Sequence, residues 1–160
     1  MGFLRTSTGY LLLFCCLTHG GAAAATKANS FVDQGNGSVA DVATGLTWQQ
    51  SDDNVTRNWD AAVAYCNNLN LAGSNAWRLP NIKELLSLVF FEGSPNRNIR
   101  NRAFPGTSGT FEYWSSTERA GDSSRAWAVH FSSDFQLQND LPINSTLNKS
   151  EGGLFVRCVR

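Results

Sequence analysis

Histidine, methionine and proline are scarce in this chain, at two, one and four residues among 160. So few histidines leave little material for general bases or nitrogen metal ligands. There is no Gly-x-Ser-x-Gly, no His-Glu-x-x-His, no Cys-x-x-Cys and no phosphate-binding loop. The usual signatures of serine hydrolases, zinc peptidases, dithiol oxidoreductases and nucleotide hydrolases are therefore missing. An excess of one charge is missing too: thirteen Lys and Arg balance thirteen Asp and Glu. Neither a strongly basic nucleic-acid binder nor an acidic tail is indicated. Internal repeats, low-complexity tracts and charge blocks are absent. The apolar run "YLLLFCCL" (10–17) falls far short of the ~20 residues that a membrane-spanning helix needs.

That run has another use. Arg5 precedes it, and "GGAAAA" (20–25) supplies the small residues that a signal peptidase cuts beside. Residues 1–25 read as a secretory signal peptide, with an uncleaved anchor as the alternative. Residues 26–160 then form a single domain, long enough for a real core. Secretion removes Cys15, Cys16 and His19 and leaves Cys66, Cys158 and His130. An isolated, even pair of cysteines in an oxidising compartment reads as one disulfide, with two buried thiols as the alternative. Closing a loop of about 90 residues contributes at most ~4–5 kcal/mol in the chain-entropy model.

The expected elements are short. "FVDQGNGSVADVATGLTWQQ" (31–50) predicts two or three strands with turns at Gly35, Gly37 and Gly45. In "NWDAAVAYCNNLNL" (58–71), Trp59, Ala62, Val63, Cys66 and Leu69 recur at helical spacing, with Thr56 or Asn58 as the cap. A second helix starts near Pro80. Asn81 and Glu84 stand in a capping-box relation, and Ile82, Leu85, Leu86 and Val89 form its apolar stripe. "YWSST" (113–117), "AWAVHFS" (126–132) and "LFVRCVR" (154–160) read as strands. In the second, Trp127, Val129 and Phe131 alternate with Ala126, Ala128 and His130. In the last, Leu154, Val156 and Cys158 share a face. The order indicates an α+β fold: two helices against a mostly antiparallel twisted sheet, with long irregular loops. A Cys66–Cys158 bond would pin the first helix across the final strand. The termini would meet if the first strand pairs with the last.

Seven segments in order carry a resemblance: "TGLTW", "NWDAAVAYCNNLNLAG", "WRLPNIKELLSL", "AFPG", "YWSST", "AWAVHF" and "FVRCVR". Together they resemble the C-terminal domain family of the bacterial collagen-like adhesin Lcl, over essentially the whole mature chain. The resemblance implies a C-type-lectin-like fold, shared with the formylglycine-generating enzyme, and a disulfide from helix one to the last strand. It implies a secreted or envelope protein. The founding adhesin binds sulfated glycans and host surfaces. This chain has no collagen-like repeat.

Trp77, Arg78, Leu79, Pro80 and Glu84, with Trp114, Ser115 and Ser116, read as a structural signature. Trp77 would fill the core, Pro80 would fix the approach to helix two, and Arg78 would pair with a carboxylate or loop carbonyls rather than bind an anion. Trp48, Trp59, Trp114 and Trp127 occupy apolar phases and read as core rather than as sugar-stacking platforms. The Glu-Pro-Asn or Gln-Pro-Asp and Trp-Asn-Asp motifs of calcium-dependent sugar binding are absent, so no metal and no cofactor are expected. "DQGNG" and "SDDN" match no calcium loop. Arg97, Arg100 and Arg102 in "PNRNIRNR" form the clearest candidate ligand site, suited to sulfate or carboxylate groups; an ordinary solvated loop is the alternative. His130 reads as structural, and no catalytic residue is assigned. Four Asn-x-Ser/Thr sequons, at Asn36, Asn54, Asn144 and Asn148, decide nothing for a bacterial protein.

The expectation is a secreted or periplasmic, non-enzymatic recognition module. It would read an extracytoplasmic ligand, glycan or protein, through residues 92–125 and 133–152. The alternative is an envelope assembly domain that binds another protein and no glycan. Nucleic acid and a membrane span after signal cleavage are not expected.

Overall fold

A computed structural model describes residues 31–89, 103–107, 112–131 and 143–160, the last span without the side chains of 143–145. Residues 1–25, expected to be a signal peptide, lie outside the described residues.

Three short strands come first: β1 (Phe31–Asp33), β2 (Ser38–Asp41) and β3 (Leu46–Gln49). They pair antiparallel in the order β1-β2-β3. Gly35, Gly37 and Gly45 all sit at positive φ in the two turns, a backbone region open to glycine.

Helix α1 (Trp59–Asn67) starts at Asn58, not Thr56. Asn58 Oδ1 accepts from the Ala61 N–H at 2.9 Å, satisfying one of the free amides of the first turn. The helix ends four residues before the expected limit. At its end the Asn68 N–H donates to the Ala64 carbonyl and the Leu69 N–H to the Cys66 carbonyl, both at 3.1 Å, and asparagine is a poor residue for continuing a helix. Helix α2 (Ile82–Ser87) has the full capping box expected from Asn81 and Glu84.

A second sheet follows: β4 (Glu112–Arg119), β5 (Asp122–His130) and β6 (Ile143–Asn148), antiparallel in that order. The architecture is thus α+β with two three-stranded sheets rather than one. Two expected recognition loops are also corrected. Residues 112–125 belong to the β4–β5 hairpin, and 143–148 form β6. "INSTLN" gave no strand signal because it is mostly polar, and β6 is placed only by its pairing with β5.

In β5 the predicted alternation breaks. Ala126, Ala128 and Val129 are all fully buried while Trp127 is half-buried. The β5–β6 register shifts between Ala128 and Val129, and such an irregularity re-aims side chains along the strand.

The segment 154–160 is the seam between the sheets and not a continuous strand. Near its start, Arg57 N–H donates to the Leu154 carbonyl. Phe155 N–H then donates to Glu112, and Trp114 N–H to Phe155, a parallel bridge to β4. Near its end, Thr47 and Arg160 exchange two bonds of 2.9 Å, and Gln49 N–H donates to Cys158. Its partner changes from one sheet to the other within four residues, so no regular ladder forms. The terminal segment therefore lies beside β3, not beside the first strand.

Side chains along this seam alternate between two cores. Phe155 and Val159 enter a cluster with Trp48, Leu85, Phe104 and Tyr113. Leu154, Val156 and Cys158 enter the other, with Ala62, Cys66, Trp77 and Trp114. Cys66 and Cys158 are bonded, with an S–S distance of 2.03 Å, and both are fully buried.

Candidate functional site

The Trp77–Pro80 segment is a joint by every one of its groups. The Trp77 ring is buried, and its indole N–H donates to the carbonyls of Leu71 and Ser74, both at 3.1 Å. Leu79 is buried in the same cluster. The Pro80 carbonyl accepts from the Ser116 N–H at 2.7 Å, which ties this segment to β4. Arg78 pairs backbone-to-backbone with Val159.

The Arg78 side chain clamps α2. Its Nη1 and Nη2 donate to Glu84 Oε2 and Oε1 at 2.8 and 2.7 Å, the two-point geometry that guanidinium and carboxylate favour. Glu84 Oε2 also accepts from the Asn81 N–H at 2.8 Å. The Arg78 hydrogen bonds hold the Glu84 carboxyl below its ordinary value, and Glu84 in turn raises Arg78. Arg78 is thus committed to a carboxylate.

Of the remaining signature residues, Trp114 and Ser115 are internal and Ser116 is exposed. Trp114 is buried, and its N–H donates to the Arg57 carbonyl at 2.9 Å. Ser115 is buried; its hydroxyl donates to the Trp127 carbonyl at 2.7 Å, and its carbonyl accepts from the Trp59 indole at 2.8 Å. Trp48 is core as expected, whereas Trp59 and Trp127 are only half-buried. Trp59 carries the Lys149 ammonium 3.9 Å from its ring centre, and Lys149 also pairs with Glu118.

Sequence reasoning missed Arg157, which is completely buried. Its Nη1 donates to the carbonyls of Gln49, at 2.8 Å, and Gln50. Its Nη2 donates to Thr107 Oγ1 at 2.7 Å and lies 3.4 Å from Asp52 Oδ2. Asp52 is itself buried and accepts from the Tyr113 hydroxyl at 2.6 Å. The guanidinium lies 5.0 Å from the Phe104 ring centre. Burial pulls its pKa down, opposed by Tyr113 and Asp52. A signal was available. Residues 155, 157 and 159 share a face, and Phe155 and Val159 mark that face as apolar, so Arg157 had to point inward.

This network fixes the chain on one side of the arginine-bearing segment. Thr107 is held by Arg157, and its hydroxyl donates to the Phe104 carbonyl at 3.0 Å. Phe104 and, on the other side, Val89 are buried in one cluster. Arg97, Arg100 and Arg102 themselves lie outside the described residues, as do 133–142 of the second expected loop.

The oxygens of "DQGNG" and "SDDN" are spent on the turns. Asp33 accepts from Gly35 N–H and Gln50 Nε2, each at 2.8 Å. Asp53 pairs with Arg57, whose hydrogen bonds lower its pKa. Among the described residues no three His, Cys, Asp or Glu side chains converge as metal ligands. His130 is half-buried on β5, opposite Glu112 of β4. No helix among the described residues is long and apolar enough to cross a membrane.

Comparison with known proteins gives one match. The family model described as the Lcl C-terminal domain covers residues 37–160. No curated protein and no solved structure matches the chain.

Proposed function

We propose, since the chain belongs to the Lcl C-terminal domain family, that it is an extracytoplasmic, non-enzymatic recognition module of C-type-lectin-like fold. Its ligand is an anionic glycan or a surface protein, read by connecting segments on a rigid core. The family match across residues 37–160 carries this reading. Three features support it. A fully buried disulfide suits an oxidising compartment. Two helices, two sheets and a bond from α1 to the final segment are compatible with that fold. The described charged clusters are engaged in holding turns and strands, which leaves recognition to the segments between them. Arg97, Arg100 and Arg102 are the proposed contacts to sulfate or carboxylate groups.

A glycan array and a heparin column test this. The oxidised protein binds sulfated glycans, the binding weakens as salt screens the charges, and changing all three arginines to alanine abolishes it. Retention unchanged by that triple substitution removes the arginines from the site. Silence on the array, with one envelope protein co-purifying specifically, favours an assembly domain that binds protein and no glycan.

A further inference from the structure

Asn36 and Gly37 form the sole Asn-Gly pair in the sequence. They lie in the turn from β1 to β2, where Gly37 holds φ +84°. Asn36 is exposed. Its side-chain oxygen accepts from the Ser38 N–H at 3.2 Å and from the Ser38 hydroxyl at 2.7 Å. Its side-chain nitrogen has no partner, and neither has the Gly37 N–H, among the described residues. The chain around them is fixed. Gln34 N–H donates to the Ser38 carbonyl, and Gln50 N–H to the Gly37 carbonyl, both at 3.0 Å.

These are the parts of an intramolecular acyl transfer. The bond from Ser38 N–H to the Asn36 oxygen folds the side chain back over the intervening Gly37 peptide. Two donors sit on the oxygen where negative charge develops when its carbon is attacked. The neighbouring peptide nitrogen is uncommitted, it belongs to a residue without a side chain, and the amine that must leave is unheld.

We infer that Asn36 is a self-modifying site. The Gly37 nitrogen attacks Asn36 Cγ, and an N–Cγ bond forms. The Gly37 proton passes through water to the side-chain nitrogen, the old Cγ–N bond breaks, and ammonia leaves. Water then opens the five-membered succinimide at either carbonyl, giving aspartate or isoaspartate. Nothing is oxidised or reduced, and water is the sole co-reactant.

Either product places a second carboxylate near Asp33. Isoaspartate also lengthens the backbone by one atom, which displaces the Gly37 carbonyl from Gln50. Strand β1 pairs with β2 alone in its sheet, and its Phe31 packs edge-on against Phe104 with ring centres 5.2 Å apart. The modification therefore loosens β1 from the core.

The test incubates the folded, oxidised protein at mildly alkaline pH and follows ammonia release, with isoaspartate mapped by mass spectrometry. Product accumulates at Asn36 ahead of every other asparagine, and Asn36→Gln abolishes it. Ser38→Ala, with unchanged circular dichroism, slows it about tenfold, the effect of one lost activating donor at an exposed site. Urea-unfolded protein reacts no faster than folded protein. The inference is overturned if the folded protein stays unmodified while the unfolded chain reacts at Asn36, or if folded Ser38→Ala reacts at the parental rate.

Discussion

Arg78 and Val159 exchange both of their backbone hydrogen bonds, each 2.9 Å long. The same Val159 stands opposite Trp48 of β3. The terminal segment is therefore held between the first sheet and the approach to α2, while Cys158, one residue earlier, is bonded to α1. Two helices, two sheets and the end of the chain meet within a few residues.

Removing the disulfide tests how much of this arrangement the covalent bond holds. Replacing Cys66 and Cys158 together by serine is expected to lower the unfolding free energy by ~2–5 kcal/mol, as for native disulfides that close long loops. Urea titration of the variant against the oxidised protein measures it. Because both sulfurs are fully buried, the native protein should also resist dithiothreitol until denaturant is added. Rapid reduction without denaturant would show that the seam opens readily.

Arg157 should be less tolerant of change than any surface arginine. Arg157→Ala leaves the buried Asp52 without its positive partner, and breaking such a pair costs ~3–5 kcal/mol. Arg157→Met combined with Asp52→Asn should be much closer to the parent, since the stranded charge is removed with its partner. A double-mutant cycle by chemical denaturation gives the coupling. Additive losses would mean that the two groups do not interact.

The Arg78–Glu84 pair predicts an acid-limb effect. Glu84 is held below its ordinary pKa by Arg78, so its contribution is fully present above the ordinary glutamate range and fades as pH falls through the depressed folded value. Arg78→Ala should cost ~1 kcal/mol or less at neutral pH, because the Arg78 side chain remains 46% exposed and solvent screens the pair. Stability curves of parent and variant should converge in acid. A constant gap down to pH 2 would assign the loss to packing instead.

Aromatic truncations should rank by burial. Trp114→Ala removes a fully buried ring and its hydrogen bond to the Arg57 carbonyl, at a cost of ~3–5 kcal/mol. Trp59→Ala should cost less, because its ring is only half-buried. Thermal melts of the two variants, compared at one pH, check the order.

Much of the local structure was readable from the chain. The α2 capping box follows from Asn81 and Glu84 alone, because the bonds close within three residues. The spacing of Trp59, Ala62 and Cys66 fixed the α1 face, and the turn glycines divided residues 31–50 into strands. The Cys66–Cys158 pair needed only counting.

Tertiary structure decided the choices among distant partners. β6 carries a polar sequence and is a strand because β5 lies beside it. "LFVRCVR" has a strand's alternation, yet its hydrogen bonds divide between β4 and β3. Arg157 is a buried clamp because Asp52, Thr107 and the Gln49 and Gln50 carbonyls, contributed by separate parts of the chain, converge on it. Periodicity and caps depend on neighbours a few residues away, so the sequence by itself determines them. Which edge a segment joins, and whether a charge can be buried, depends on groups some 50 to 110 residues distant in the chain, and only folding brings those together.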